Sequence, residues 1–322
     1  MFLVVWDILS LEQDQSDIVK KFWWFLSSCW YKHVLNLKNL NIDFDKINYI
    51  VSRWAHFKYN EEFLRKFKNL KTIFLFQIWN DNVDLNYCKQ NQIEVVNFIS
   101  SKSVYSVAEQ TVASLIFWLR QCFLNNYLLK QIQKGVWERF VGQNLDENIT
   151  VWIMWFGRIW QTVAKILQSF PTNILAYDIF INSPDFKILD ELKNSQKIKF
   201  TDDLNYFLEN SDYILVHIPG IWENIGLLNY EKLKKVKWVV NMARPKIVVE
   251  NDVIKLLDEG QMDFYIADVV ENEPYLEKIN KKLLHHPKVF IIPHIWAHTI
   301  WVQQDIIKQF LSYWKNKDLN LT

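Results

Sequence analysis

Glycine is nearly missing from this chain. Six glycines occur among 322 residues, where an ordinary globular protein carries about 7%, or roughly 22. So few glycines leave the backbone little access to left-handed turns and close chain approaches. Cysteine is also scarce: Cys29, Cys88 and Cys122 are scattered, odd in number and without CxxC spacing. That excludes a disulfide framework and a zinc site, and points to reduced thiols. No apolar run reaches the roughly 18 residues that span a membrane. The formal net charge is +1, so no electrostatic case exists for nucleic acid or anionic lipid as a partner. The N-terminus, "MFLVVWDILSLEQDQSD", lacks a basic region and turns acidic, unlike a signal peptide. The expected location is the cytoplasm. No internal repeat and no low-complexity linker interrupts the chain.

What is present is the composition of a globular enzyme, 50% hydrophobic and 23% charged, with length enough for two domains. Tryptophan is in excess where glycine is in deficit. The sixteen tryptophans and six glycines together number about what glycine alone should. One concrete cause is a genetic code in which UGA means glycine, read as though it meant tryptophan. That cause requires the odd tryptophans to sit where the backbone wants glycine.

Short apolar runs alternate with amphipathic segments. "INYIVSRW", "KTIFLFQI" and "IEVVNF" read as strands, with "NEEFLRKFKNL" a helix between the first two. "SVAEQTVASLIFWLRQCFLNNYLLKQI" reads as one long helix beginning at Ser103 or Ser106. Strands follow at "ITVWIMW", "NILAYD", "YILVHIP", "KWVVNMA", "FYIADVV" and "VFIIPH", and "TIWVQQDIIKQFLSYWKN" closes the chain as a helix. Strands apolar at nearly every position and separated by helices predict parallel sheets covered on both faces.

"VWIMWFGRIWQTVAKIL" has the rhythm of a phosphate turn: strand, small-residue loop, helix. A dinucleotide site places G-x-G-x-x-G there. The glycines serve the tight turn, the close approach to pyrophosphate and the packing of helix on strand. Here the frame is Trp155-Phe156-Gly157-Arg158-Ile159-Trp160, one glycine of three. Restoring glycine at Trp155 and Trp160 completes it. As indoles, Trp155 would fill the pyrophosphate's space and Trp160 would wedge helix from strand. Asp178 ends the next strand, where an acid accepts hydrogen bonds from the ribose and repels a 2′-phosphate. The expected cofactor is NAD.

The chain resembles the D-isomer-specific 2-hydroxyacid dehydrogenases from about residue 50 onward. "RWAHFKYNEEFL" is similar to R-G-x-T-x-x-T-x-E-x-L, with Trp54 at the glycine, and "IWNDNVD" to G-x-D-N-[IV]-D, with Trp79 at the glycine. "SVAEQTVASLIFWLR", "SDYILVHIPGIWENIGLLN", "NMARP", "ADVVENEP" and "PHIWAHT" follow in the family's order, and "GVWERFVGQNL" keeps the family's own tryptophan, Trp137. The resemblance implies an α/β enzyme of two Rossmann-like or flavodoxin-like domains with parallel sheets. An NAD-binding domain, 104–295, would be inserted into a discontinuous substrate domain, 1–103 with 296–322. The active site would lie in the cleft between them. It also implies a homodimer, and the "ENEP" and "PHIWAHT" segments resemble the branch that acts on 3-phosphoglycerate. No C-terminal regulatory domain is expected.

The chemistry can also be argued from residue types. A 2-hydroxy or 2-keto acid needs a cation for its carboxylate. Arg244 fits, because a planar guanidinium binds carboxylate at two points. The alkoxide needs a proton donor, and His294 at a strand end is of the type that titrates near neutrality. Glu273 would orient that imidazole. By resemblance, His217, Pro219, Met242 and Ala243 line the cofactor, Asp268 faces the nicotinamide, and Trp296 and Ala297 lie beside His294. Trp54, Ile78 and Trp79 would belong to the substrate loops with Arg244. His285, His286 and His298 have no metal-ligand spacing. Two departures stand out: Pro245 follows the arginine where glycine is usual, and Ile221 replaces a common threonine. If the tryptophans are genuine, the alternative is a non-catalytic scaffold on the same fold.

Overall fold

A run that is apolar at every position needs cover on both faces, because successive side chains of a strand point in opposite directions. The computed structural model provides that cover twice. It describes residues 1–5, 16–29, 31–34, 42–53, 57–77, 80, 82–122, 125–273 and 275–316. Trp54, Ile78 and Trp79 lie outside the described residues. The chain divides into two compact units, Met1–Ser103 with His298–Thr322, and Val104–Ala297.

The first unit holds five parallel strands: β1 (Phe2–Val5), β2 (Tyr31–Val34), β3 (Tyr49–Ser52), β4 (Thr72–Leu75) and β5 (Glu94–Asn97), in the order β2-β1-β3-β4-β5. That is the flavodoxin-like order. Phe2, Val4, Val51 and Phe74 face the helices Asp17–Ser28 and Ile300–Asn316, while Leu3, Val5, Ile50 and Ile73 face the layer that holds Phe63, Leu64 and Phe67. The C-terminal helix is thus part of the first unit's core. Phe310 is fully buried, with ring centroids 5.5 Å from Phe22 and 5.3 Å from Phe74.

The second unit holds seven parallel strands: β6 (Thr150–Met154), β7 (Asn173–Tyr177), β8 (Ile198–Thr201), β9 (Tyr213–Val216), β10 (Trp238–Asn241), β11 (Phe264–Ala267) and β12 (Val289–Ile291). Their order is β12-β11-β10-β9-β6-β7-β8, the doubly wound dinucleotide order extended by one strand. The order reverses between β6 and β9, which pair Trp152 with Ile214 and Met154 with Val216. Val151 and Ile153 pack on one face with Val163, Ala164 and Leu167 of the helix Arg158–Leu167. Trp152 and Met154 pack on the other with Phe207 and Val239.

Two expected helices differ. "NEEFLRKFKNL" forms only Glu61–Leu64, capped by the Asn60 side chain accepting the Phe63 N–H. It then turns, which brings Phe67 and Leu70 into the same core as Phe63 and Leu64. The long helix is interrupted as well. Ser103–Leu119 ends in a turn where Gln121 is left-handed at φ 54°, and a separate helix runs Asn125–Gln133.

Phe310→Ala is expected to lower the unfolding free energy by about 3–5 kcal/mol, read as a reduced denaturant midpoint. A loss under about 1 kcal/mol would show that the helix does not close this core.

Candidate functional site

Parallel strands leave the sheet at one edge, and the expected site residues of the second unit follow those carboxyl ends. Trp155 to Gly157 follow β6, Asp178 follows β7, and His217 and Pro219 follow β9. Met242 to Arg244 follow β10, Asp268 follows β11, and His294 to Ala297 follow β12. Ligands of open α/β sheets bind at this edge, beside the strand-order reversal.

The turn after β6 is shaped for glycine but holds an indole. Trp155 has φ 77°, a conformation that costs a bulky residue about 1–3 kcal/mol. Its N–H donates to the Tyr177 carbonyl at 2.7 Å. Its ring bends over the turn: a Cβ built on Gly157 would lie 3.5 Å from Trp155 Cδ1 and 3.6 Å from Nε1. Gly157 opens the helix without a capping side chain, and Arg158 and Ile159 form its first turn. Free N–H groups at such a turn are what a pyrophosphate uses. The Trp155 indole lies beside Gly157 at van der Waals distance. Trp160 is buried where helix meets sheet, its ring 4.1 Å from His217 in an edge contact. Its indole N–H has no acceptor among the described residues, a loss of about 1–3 kcal/mol.

Asp178 is buried. Its carboxylate accepts the Phe156 N–H at 2.9 Å and the Phe180 N–H at 2.8 Å. It ties the turn after β6 to the turn after β7. Burial raises its pKa, against those two hydrogen bonds. His217 is partly buried, and desolvation lowers its pKa to about 3, so its imidazole is neutral. The Thr111 hydroxyl donates to the Val107 carbonyl at 2.8 Å and lies 3.2 Å from His217 Nε2. Its one proton is thereby used, which makes Nε2–H the donor to Thr111 and leaves Nδ1 as the acceptor.

After β10, buried Asn241 holds the turn. Its side chain accepts the Ala243 N–H at 3.1 Å and donates to the Arg244 carbonyl at 3.2 Å. Met242 and Ala243 are buried, and Arg244 Nη1 donates to the Ala243 carbonyl at 2.9 Å. Pro245 opens a single 3-10 turn, where its missing N–H is not needed. That accommodates the departure from glycine.

The imidazole and carboxylate expected to act together do meet. His294 Nδ1 lies 2.7 Å from Glu273 Oε1, and Glu273 Oε2 accepts the Val270 N–H at 3.2 Å. Nδ1 is thus the ring nitrogen that meets the carboxylate. His294 is itself left-handed at φ 52°, held by its N–H donating to the Asp268 carbonyl at 2.9 Å. The Asp268 side chain accepts the Ile295 N–H at 3.0 Å and the Trp296 N–H at 3.3 Å. Asp268 therefore clamps the loop that carries the histidine. The Trp296 ring lies 5.8 Å from the imidazole, nearly parallel to it, and its indole N–H has no acceptor among the described residues.

Sequence reasoning missed three residues. Glu250 is buried and accepts the Glu271 N–H at 2.6 Å, which anchors the loop carrying Glu273. Thr111 fixes the His217 tautomer, and Asn241 shapes the arginine turn. Glu250 and Thr111 act on partners 21 and 106 residues away, which no local pattern announces, whereas Asn241 opens the "NMARP" segment and was there to be picked out.

Residues 115–295 match the NAD-binding domain of the D-isomer specific 2-hydroxyacid dehydrogenases. The chain belongs to that family, whose members are NAD-dependent oxidoreductases acting on the CH–OH group of 2-hydroxy acids. It is 32% identical over 254 residues to a D-3-phosphoglycerate dehydrogenase of Archaeoglobus fulgidus, a match covering 77% of this chain and 45% of that protein. The chain thus spans less than half the length of that relative. It is 26% identical over 277 residues to a D-lactate dehydrogenase of Lactiplantibacillus plantarum, covering 79% of this chain and 80% of that one. A crystal structure of D-lactate dehydrogenase from Aquifex aeolicus complexed with NAD and lactic acid shares the fold, with a TM-score of 0.76 at 24% identity, covering 98% of this chain and 94% of that one.

Burial raises the pKa of Asp268 to about 7, opposed by the charge of His294 and the two N–H donors. The unfolded side chain titrates near 3.9, so the folded state keeps a proton that the unfolded state releases. That stabilisation is complete below about pH 4 and is lost as pH rises through about 7. The melting temperature is therefore expected to fall between about pH 5 and 8, and to fall less in Asp268→Asn. Equal slopes by calorimetry would remove Asp268 as the cause.

Proposed function

We propose that this chain is an NAD-dependent oxidoreductase that interconverts a D-2-hydroxy acid and its 2-keto acid. The observation that carries the reading is the Glu273–His294 pair at 2.7 Å, at the carboxyl edge of a dinucleotide-type sheet. In this reading Arg244 holds the substrate carboxylate and polarises the keto group. His294 Nε2 donates a proton to the oxygen as the alcohol forms, and takes it back in the reverse direction. Glu273 fixes the orientation of the ring. NAD is the family's hydride carrier. The cradle as written does not fit it, because the Trp155 indole stands over Gly157.

3-Phosphoglycerate is the first substrate to try, supported by the "ENEP" and "PHIWAHT" segments and by the relative named for that acid. A second copy of the chain is the proposed partner. Val136, Trp137, Phe140 and Val141 are exposed in succession after the helix Asn125–Gln133, an apolar stretch of the kind a homodimer would cover. No helix among the described residues is long and apolar enough to cross a membrane. The proposed location is the cytoplasm. A non-catalytic scaffold is the competing reading, and the Trp155 indole is the observation that favours it. The paired Glu273 and His294 weigh against it, since a scaffold has no use for an oriented imidazole.

Protein purified from its own cells is expected to oxidise NADH with 3-phosphohydroxypyruvate or another 2-keto acid, and to sediment as a dimer. In a recombinant chain carrying W155G and W160G, His294→Ala is expected to lower kcat by about 10²–10⁴. Arg244→Lys is expected mainly to raise KM, because the two-point contact is lost. Undiminished reductase activity after His294→Ala would end this reading.

A further inference from the structure

We infer that residues 155 and 160 are glycine in the protein as its own cell makes it, the two tryptophans being UGA codons read with the standard code. This rests on the dehydrogenase reading for its purpose, but its grounds are separate.

The first ground is backbone. Of the five non-glycine residues with positive φ among those described, Trp155 is the largest, at 77°. Polar Gln92, Gln121 and Asn272 end helices or turn loops, and His294 is held by the hydrogen bonds around Asp268. The Trp155 ring lies beside Gly157, meets Phe180 edge-on at 5.9 Å and packs against the core on both sides of the sheet, contacts that hold the side chain without relieving its backbone. Without a Cβ the same φ carries no strain, and the turn that Asp178 and Tyr177 pin to β7 is left open.

The second ground is packing. Trp160 sits on the sheet-facing side of its helix with Val163, Ala164 and Leu167. It pushes a polar N–H into that core with no acceptor among the described residues. A glycine there removes the stranded donor and lets helix and strand close together. A stranded indole N–H is not sufficient by itself. Trp314 has one too, but it packs among Phe2, Phe25, Tyr49 and Phe74. Trp152 lies in β6 and packs on Phe207. Neither stands at a turn, and neither is assigned.

The third ground is spacing. The two positions and Gly157 stand in the one frame in which all three must be small for a backbone to reach a pyrophosphate. The shortage of glycine across the chain, six among 322 residues, supplies the cause.

The test is peptide mass spectrometry of residues 151–167 in protein from the source cells, with the codons read from the same cells' DNA. Glycine at both positions over UGA codons is expected. Tryptophan at either, or UGG codons, overturns the assignment. NADH fluorescence then compares the chain as written with the W155G/W160G chain. Saturable binding only by the double variant is expected, and equal binding by both overturns the claim that the indoles close the site. Glycine in the native peptide with no NADH binding by the double variant upholds the assignment and defeats the dehydrogenase reading instead.

Discussion

Seven parallel strands release the chain at one edge, and everything that could do chemistry in the second unit hangs from that edge. A strand end is a poor place to hold a side chain, because the ladder's hydrogen bonds stop there and the freed N–H groups need partners. The chain supplies those partners with buried carboxylates and amides. Asp178 receives the N–H groups of Phe156 and Phe180, Asp268 those of Ile295 and Trp296, and Glu250 that of Glu271. Burying an acid is unfavourable unless it is well bonded. Each therefore fixes its loop strongly, because moving the loop would strand the carboxylate.

That arrangement explains how an imidazole and a carboxylate from different crossovers come within 2.7 Å. Glu273 belongs to the loop anchored by Glu250, and His294 to the loop clamped by Asp268. The pair is the meeting point of two separately anchored loops. The neutral imidazole of His217 plays another part, as a partly buried wall whose one donor is committed to Thr111.

The same edge carries the conflict. The sheet, the reversal between β6 and β9 and the helix opening at Gly157 build a place of the kind that takes a phosphate, and the Trp155 ring lies against Gly157 beside it. Local backbone and local side chain disagree there, and the stranded indole N–H of Trp160 one helical turn on adds a second conflict. Disagreements of side-chain bulk, with the backbone at 155 already in a glycine conformation, are the mark of changed side chains rather than of a changed fold.

Much of this was legible in the linear chain. Alternating apolar runs and helices determine a two-faced parallel sheet, because nothing else buries such strands. The spacing of residues 155, 157 and 160 and the ordered motifs determine the family. Arg244, Glu273 and His294 could be picked out because each stands in a short motif. The early end of the helix at Leu64 and the break after Leu119 were not legible, since each depends on where the core lies. Nor was the role of Asp178 and Asp268 as loop clamps. A carboxylate at a strand end looks the same in sequence whether it faces a ligand or a neighbouring backbone. The sequence alone determined which residue types were available and in what order. Only the tertiary structure decided which N–H groups would be left over at the sheet edge, and therefore which acids had to turn inward to meet them.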